Sequence, residues 1–289
     1  MSLGNDPDSR TTPTRPGTAD GVPEDFVEEW EAWHREKEAR LSAAHGFLAI
    51  TGLHWLTDEP QSIPDAPGTW TTGPGGVVVE LADDEELVVE GTTVKGRYAF
   101  GDIPERGGVD AVWGDIVIEV ARRGGHDVVR PRHPGHPLRV AFTGTPAYAP
   151  HPRWAVTGRY VPFDEPRPTT VGASVEGLRH VYDAPGRIDF RLDGQDLSLT
   201  AFNGYTPGGF TVLFTDRTSG VTTYAANRSL RVGAPAPDGT VLLDFNRAGN
   251  LPCAYTDYAT CPLPPTENRL PVAVEAGEKI PRERGPVTT

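Results

Sequence analysis

Side chains able to do chemistry are densest toward the carboxyl end of the chain. In Val241-Leu-Leu-Asp-Phe-Asn246, strand alternation puts Leu243 and Phe245 on one face and Asp244 and Asn246 on the other, a carboxylate beside an amide. Arg247, Asn250, Cys253, Tyr255, Asp257, Tyr258, Cys261, Glu267, Asn268 and Arg269 follow closely. Short polar side chains on a strand built from Val, Leu and Phe are costly to bury without partners. If the partner is a ligand, Asp244, Asn246, Arg247, Tyr224 and Asn268 form a binding site for a small polar or sugar-like molecule. It would lie between the Asp216–Tyr224 hairpin and the segment from Asp244 to Arg269. An alternative is a hydrolase or lyase with Asp244 as general base and Glu267 or Asp216 as the acid, their pKa values driven apart by environment. The plainer alternative is that these groups satisfy the backbone of their own loop.

Other chemistries fall away on spacing. No G-x-S-x-G elbow occurs, and Gly172-Ala-Ser-Val-Glu-Gly177 has the wrong interval; P-loop, G-x-G-x-x-G and H-E-x-x-H patterns are missing as well. His133-Pro-Gly-His136 offers two imidazoles, but so proline-rich a stretch reads as a surface loop, and no metal and no cofactor are assigned. Cys253 and Cys261 are flanked by Pro252 and Pro262. Free thiols in a reducing compartment are the plain reading, with a short-loop disulfide or a metal role as alternatives.

Lys and Arg number 27 against 40 Asp and Glu, a formal charge of −13 over 289 residues. Residues 1–29 hold seven acids and two bases, and Glu80 to Glu90 holds six acids and no base, so these two stretches account for −11 of the total. Nucleic acid is excluded as a partner, because the one basic stretch, Arg122 to Arg153, is interrupted by Pro and Gly. No apolar window reaches membrane-spanning length, and the polar run from Met1 to Asp20 lacks a signal-peptide core, so a cytoplasmic setting is expected. No oligomeric state follows from the sequence.

The elements that must position these residues are mostly strands. With 33 Gly and 29 Pro beside 37% apolar residues, the chain is turn-rich yet able to fill a core. Residues 1–21 are expected to be a polar tail and 22–289 a single β-rich domain, with two packed sheets or subdomains as a variant. Pro23 and the acids Glu24, Asp25, Glu28 and Glu29 mark a helix start, and Phe26, Trp30, Trp33 and Leu41 form a stripe ending before Gly46. The two tryptophans are expected to dock the helix on the sheet. Beyond it the apolar period becomes 2. Asp193-Gly194 is a preferred hairpin turn, and centring the register there pairs Phe190 with Leu197, Ile188 with Leu199 and Arg191 with Asp196. Further strands are expected at 76–82, 86–90, 93–99, 111–121, 138–142, 154–161, 209–215, 221–224, 229–233, 239–245 and 271–275. Five prolines between 252 and 271 predict a long, stiff loop over 249–270. The expected fold is mainly β: an antiparallel sandwich or partly closed barrel, one N-terminal α-helix and a long Pro-rich C-terminal loop.

Leu243-Asp-Phe-Asn-Arg-Ala248, Pro252-Cys-Ala-Tyr255, Tyr258-Ala-Thr-Cys-Pro-Leu-Pro-Pro265, Glu267-Asn-Arg-Leu-Pro271 and Glu275-Ala-Gly-Glu-Lys279 resemble the signature of the domain of unknown function 1684 family. Trp33-His-Arg-Glu-Lys-Glu38, Gly46-Phe-Leu-Ala-Ile-Thr-Gly-Leu-His-Trp-Leu56 and Phe214-Thr-Asp-Arg-Thr-Ser-Gly-Val-Thr-Thr-Tyr224 resemble its other segments, extending the likeness from about residue 24 to 280. The resemblance implies membership and no particular activity. The family pattern has glycines where this chain has Ala225 and Asn227, so that turn is expected to differ. It has an aromatic where this chain has Gly249 and a proline where it has Leu251; the lost aromatic is expected to enlarge a pocket beside Asp244 and Asn246.

Overall fold

The computed structural model describes residues 23–282, and the expected tail over 1–21 lies outside them. Helix α1 spans Glu24–Leu41, with Glu24 and Asp25 in its first turn, where negative charge meets the positive end of the helix dipole. Ten strands follow: β1 (His54–Trp55), β2 (Gln61–Ile63), β3 (Ala66–Gly73), β4 (Gly76–Glu80), β5 (Leu87–Val89), β6 (Thr92–Val94), β7 (Arg97–Gly101), β8 (Gly108–Trp113), β9 (Ile116–Arg123) and β10 (His126–Arg132). They form a six-stranded sheet in the order β1-β10-β9-β8-β5-β6 and a four-stranded sheet in the order β2-β3-β4-β7. The inner faces of the two sheets meet on a core around fully buried Trp70, with Val79, Leu87, Ile118 and Val120. After a short helix α2 (Pro137–Val140) come β11 (Ala155–Gly172), β12 (Arg179–Leu192), β13 (Gln195–Asn203), β14 (Phe210–Phe214), β15 (Arg228–Val232) and β16 (Thr240–Asp244). These form a second six-stranded sheet, β15-β14-β13-β12-β11-β16.

Every pairing between these strands is antiparallel. The long strands β11 and β12 shift register between Pro162 and Arg167, which curls the sheet. Ser229, in β15, bridges to Gly249, just past β16, so the two edges approach and the sheet is a half-closed barrel. Its concave side holds a second core, where Trp154, Ile188, Phe190, Phe214, Leu243 and Phe245 pack together. The hairpin at Asp193-Gly194 has the expected register, with positive φ of 48° and 76° at its two turn residues.

Several expected elements differ. Within the stretch 138–142, residues 138–140 are helical, because Pro137 occupies the first turn of α2, where its missing N–H costs nothing, and 141–142 are irregular. A turn at Gly114 (φ 60°) divides 111–121 between β8 and β9. Segments 221–224 and 271–275 are irregular. Helix α1 ends at Leu41 and buries none of its residues fully; Trp30 and Trp33 are half-buried, and the helix lies against the 245–247 turn instead of a sheet face. Neither Ala225 nor Asn227 has positive φ, so no glycine is needed there. The 249–270 segment is pinned by single-turn 3-10 helices at Pro252–Ala254 and Thr266–Asn268 and by bridges from Pro262 to Ala173 and from Arg269 to Thr215.

Candidate functional site

The polar residues at the carboxyl end divide into separate fastenings. Asp244 caps the turn 245–247: its Oδ1 accepts from the Asn246 backbone N–H at 3.2 Å and the Asn246 side-chain amide at 2.8 Å, while Oδ2 lies 3.2 Å from Arg247 Nε. Asn246 is buried, and its amide grips both backbone groups of His151, accepting from N–H at 2.9 Å and donating to C=O at 3.1 Å. The indole of Trp30 donates to the carbonyl of Asn246 at 2.7 Å. Asn268, fully buried, grips Thr200 in the same two-handed way and also donates to Leu213. Glu267 accepts from the Thr200 hydroxyl at 3.0 Å, and the Tyr224 hydroxyl donates to the Cys253 carbonyl at 2.9 Å. Thus Asp244, Asn246 and Arg247 come together, as do Glu267 and Asn268, while Asp216 and Tyr224 have partners of their own.

Asp216 belongs to a buried ion pair. Its Oδ2 accepts from Arg228 Nη2 at 2.6 Å with both side chains fully enclosed, and Oδ1 accepts from the N–H and hydroxyl of Thr218 and from the N–H of Val274. Burial pulls the Arg228 pKa down, opposed by the Asp216 charge. Arg228 further donates to the carbonyls of Val274 and Ala276, stitching the C-terminal segment to β15.

A second buried carboxylate, Glu278, fastens α1. Both its oxygens are 2.6 Å from Lys37 Nζ; Oε2 accepts from the Asn250 N–H at 2.6 Å, and His34 Nε2 is 3.5 Å from Oε1. Burial raises the Glu278 pKa, but Lys37, His34 and the Asn250 amide outweigh it and hold the carboxyl below its ordinary range. Gly277 makes this approach possible: its φ is 73°, and a Cβ there would lie 2.3 Å from the Ala248 carbonyl oxygen. The space at Gly249, expected to be an enlarged pocket, is filled by Lys37, whose Cε would be 2.8 Å from a Cβ on residue 249.

A hollow of ligand size lies on the other half of the molecule, over the outer face of β8, β9 and β10. Cross-strand register builds it. Asp110 opposes Glu119 and Glu119 opposes Arg130, so the three form one row across the sheet, with Arg132 and Arg123 two and four positions along on the same face. The opposite face of β9 presents Ile116, Ile118 and Val120 to the core. The resulting open cleft of about 510 Å³ is lined by His45, Asp110, Glu119, Arg123 and Arg132, with Gly108 and Val117. Neither this cleft nor a shallow dent beside Phe142 and Tyr255 is lined by Asp216, Asp244 or Glu267.

Glu119 organises the cleft. Its Oε1 accepts from Arg123 at 2.9 Å and Arg130 at 2.5 Å, and its Oε2 accepts from Arg132. Burial pushes the Glu119 pKa up, but Arg130 and Arg132 prevail and hold it below the ordinary range. Asp110 goes the other way, burial raising its pKa against the pull of Arg132. Arg132 donates to the His45 carbonyl at 2.9 Å, and the His45 ring is 2.8 Å from the Asp115 carbonyl, fixing the rim. Sequence reading missed this site by treating the arginines of the 122–153 stretch as dispersed. The missed signal was Gly124-Gly125: a register centred on that pair places Glu119 opposite Arg130.

His133 Nδ1 accepts from the Gly135 N–H, and His136 Nδ1 is 2.9 Å from the Leu48 carbonyl. Among the described residues, no group of three or more His, Cys, Asp and Glu side chains is placed to hold a metal ion. Cys253 and Cys261 are buried free thiols, with the Cys253 N–H 3.4 Å from Cys261 Sγ. No helix among the described residues is long and apolar enough to cross a membrane.

Fold and site together define a mainly antiparallel β protein with an N-terminal helix, a half-barrel sewn shut by buried polar clasps, and an arginine-lined cleft on a separate sheet. Residues 140–279 match the model of the family described as Protein of unknown function (DUF1684), and the chain belongs to that family. The cleft residues precede the matched segment. Comparison with curated proteins finds no match. Among solved structures, the chain is similar to the solution NMR structure of the uncharacterized protein from gene locus rrnAC0354 of Haloarcula marismortui, at 31% identity, covering 49% of this chain and 78% of that one, with a TM-score of 0.42.

Proposed function

We propose that the protein binds a small polar molecule in the cleft over β8, β9 and β10, and that Asp244, Asn246, Arg247, Tyr224 and Asn268 act as fasteners of the fold. The observation that carries this reading is a hollow of about 510 Å³ whose arginines are held in place by one buried carboxylate, Glu119. Polar groups fixed before a ligand arrives lose little entropy on binding. A hydrolytic reading, with Asp244 as base and Glu267 or Asp216 as acid, asks those carboxylates to face one substrate. Their partners, a cap with Arg247, the Thr200 hydroxyl and the buried Arg228 guanidinium, favour binding over hydrolysis. The buried free thiols of Cys253 and Cys261 support a cytoplasmic setting for this function.

The test is a thermal-shift screen of the full chain against sugars, nucleotides, small acids and divalent metals. A ligand at one hundred times its Kd stabilises the folded state by about 2.7 kcal/mol, a rise of roughly 5–10 °C for a chain of this size. The reading expects a hit whose shift is lost in His45→Ala, at the rim, and retained in Asp244→Asn. A hit lost only in Asp244→Asn would return the site to the carboxyl end.

A further inference from the structure

We infer that the molecule taken by the cleft is a small oxyanion, a carboxylate or phosphate of no more than a few charges, recognised by Arg123 and Arg132 above Arg130. This inference rests on the cleft being the binding site and adds the class of its ligand. Three guanidinium groups converge on a single carboxylate, Glu119, whose two oxygens are shared among them. Glu119 neutralises one of the three charges. Asp110, exposed in the same row, offsets a second, so one of the three charges has no counter-charge within this group of five side chains. Positive charge is therefore left in excess within a partly desolvated hollow, where water screens it less than at an open surface.

Hydrogen bonding gives an independent sign of the same deficit. Arg130 is 3% exposed, yet its Nε–H, like that of Arg132, is buried without an acceptor. Buried donors without acceptors are costly, and the cluster has more guanidinium donors than Glu119 and the His45, Gly107 and Arg122 carbonyls can serve. A ligand bringing charged oxygens to the cleft-lining guanidinium groups of Arg123 and Arg132 answers the charge, which a neutral sugar does not. Arginine also suits this role by geometry, since its planar fork matches the paired oxygens of carboxylate and phosphate.

The rest of the molecule sets an upper limit on the ligand. The chain carries −13 overall, and the acidic run from Glu80 to Glu90 leads into β5 and β6, which continue the sheet beyond β8. A polyanion long enough to leave the cleft along the sheet toward β5 runs into that negative charge, whose field salt screens over about 8 Å. A small anion lying inside the arginine cluster does not.

The experiment is isothermal titration calorimetry of the full chain at constant ionic strength with inorganic phosphate, citrate and glucose in turn. Heats are read in place of melting temperature because phosphate stabilises folded proteins generally by exclusion from their surface. Saturable binding of phosphate, citrate or both is expected. Arg123→Gln should weaken it about fivefold or more, Arg123→Lys less, and Glu119→Gln should strengthen it by removing the competing carboxylate. Binding of citrate alone assigns a carboxylate ligand, and of phosphate alone a phosphate. Binding of glucose with no anion response overturns the oxyanion inference and leaves the cleft reading standing; no binding by any of the three counts against both. Anion binding indifferent to Arg123→Gln and Glu119→Gln in folded protein would place the anion elsewhere and overturn the inference.

Discussion

Replacing Asp216 by Asn separates a structural from a catalytic role for that carboxylate. The substitution preserves shape, and the amide oxygen can still accept from Thr218 and from the Val274 N–H. At the Oδ2 position, however, an NH₂ group would face Arg228 Nη2 across a contact of 2.6 Å, donor against donor, and the Arg228 charge would remain in the interior without its counter-ion. Breaking a buried pair from one side costs about 3–5 kcal/mol. For a domain of this size that lowers the melting temperature by roughly 6–20 °C. Guanidinium chloride unfolding followed by circular dichroism gives the free energy directly. The double variant Asp216→Asn with Arg228→Met should recover much of the loss, because an apolar side chain needs no counter-ion. A loss below about 1 kcal/mol in the single variant, or a double variant no more stable than the single, would refute the claim that this pair is a buried structural clasp.

Other substitutions test the remaining fastenings. Asn246→Ala should cost about 1–3 kcal/mol for each His151 backbone group it leaves unpaired, measured by the same unfolding assay. Asp244→Asn keeps a competent cap and loses only a half-exposed contact with Arg247, so a loss of no more than about 1 kcal/mol is expected. The Glu278 carboxyl has a lower pKa in the folded chain than its ordinary 4.5, so its stabilising contribution is complete above that value and is lost as pH falls through the folded pKa. Unfolding free energy measured against pH should therefore drop below about pH 4.5, with a flatter acid limb in Glu278→Gln.

What the sequence made legible was local. The hairpin at Asp193-Gly194 could be read because two signals a few residues apart, apolar pairing and the Arg191–Asp196 charge pair, require the same register. The same reasoning at Gly124-Gly125 would have aligned Glu119 with Arg130, but there the neighbouring arginines and Pro131 obscured the strand. The helix was legible from its stripe, yet the positions interleaved with its tryptophans, His34, Lys37 and Glu38, are the ones that tie it down. Lys37 and Glu278 are 241 positions apart, and no local pattern predicts such a contact. The polar run from Asp244 to Asn268 was visible as a concentration of chemistry. Its amides turned out to point at backbone groups of β13 and of the segment before β11, a choice made by tertiary packing.

Whether the cleft is the binding site is tested most directly by observing the arginine side chains themselves. In heteronuclear NMR of the ¹⁵N-labelled full chain, the Nε–H resonances of Arg123, Arg130 and Arg132 report on the cleft, while the side-chain amides of Asn246 and Asn268 report on the carboxyl end. On titration with citrate, phosphate or both, saturable shifts of the three arginine signals and of backbone amides over 108–119 are expected, with the two asparagine amides unmoved and no shifts on titration with glucose. Shifts confined to Asn246, Asn268 and the 244–269 backbone would contradict it.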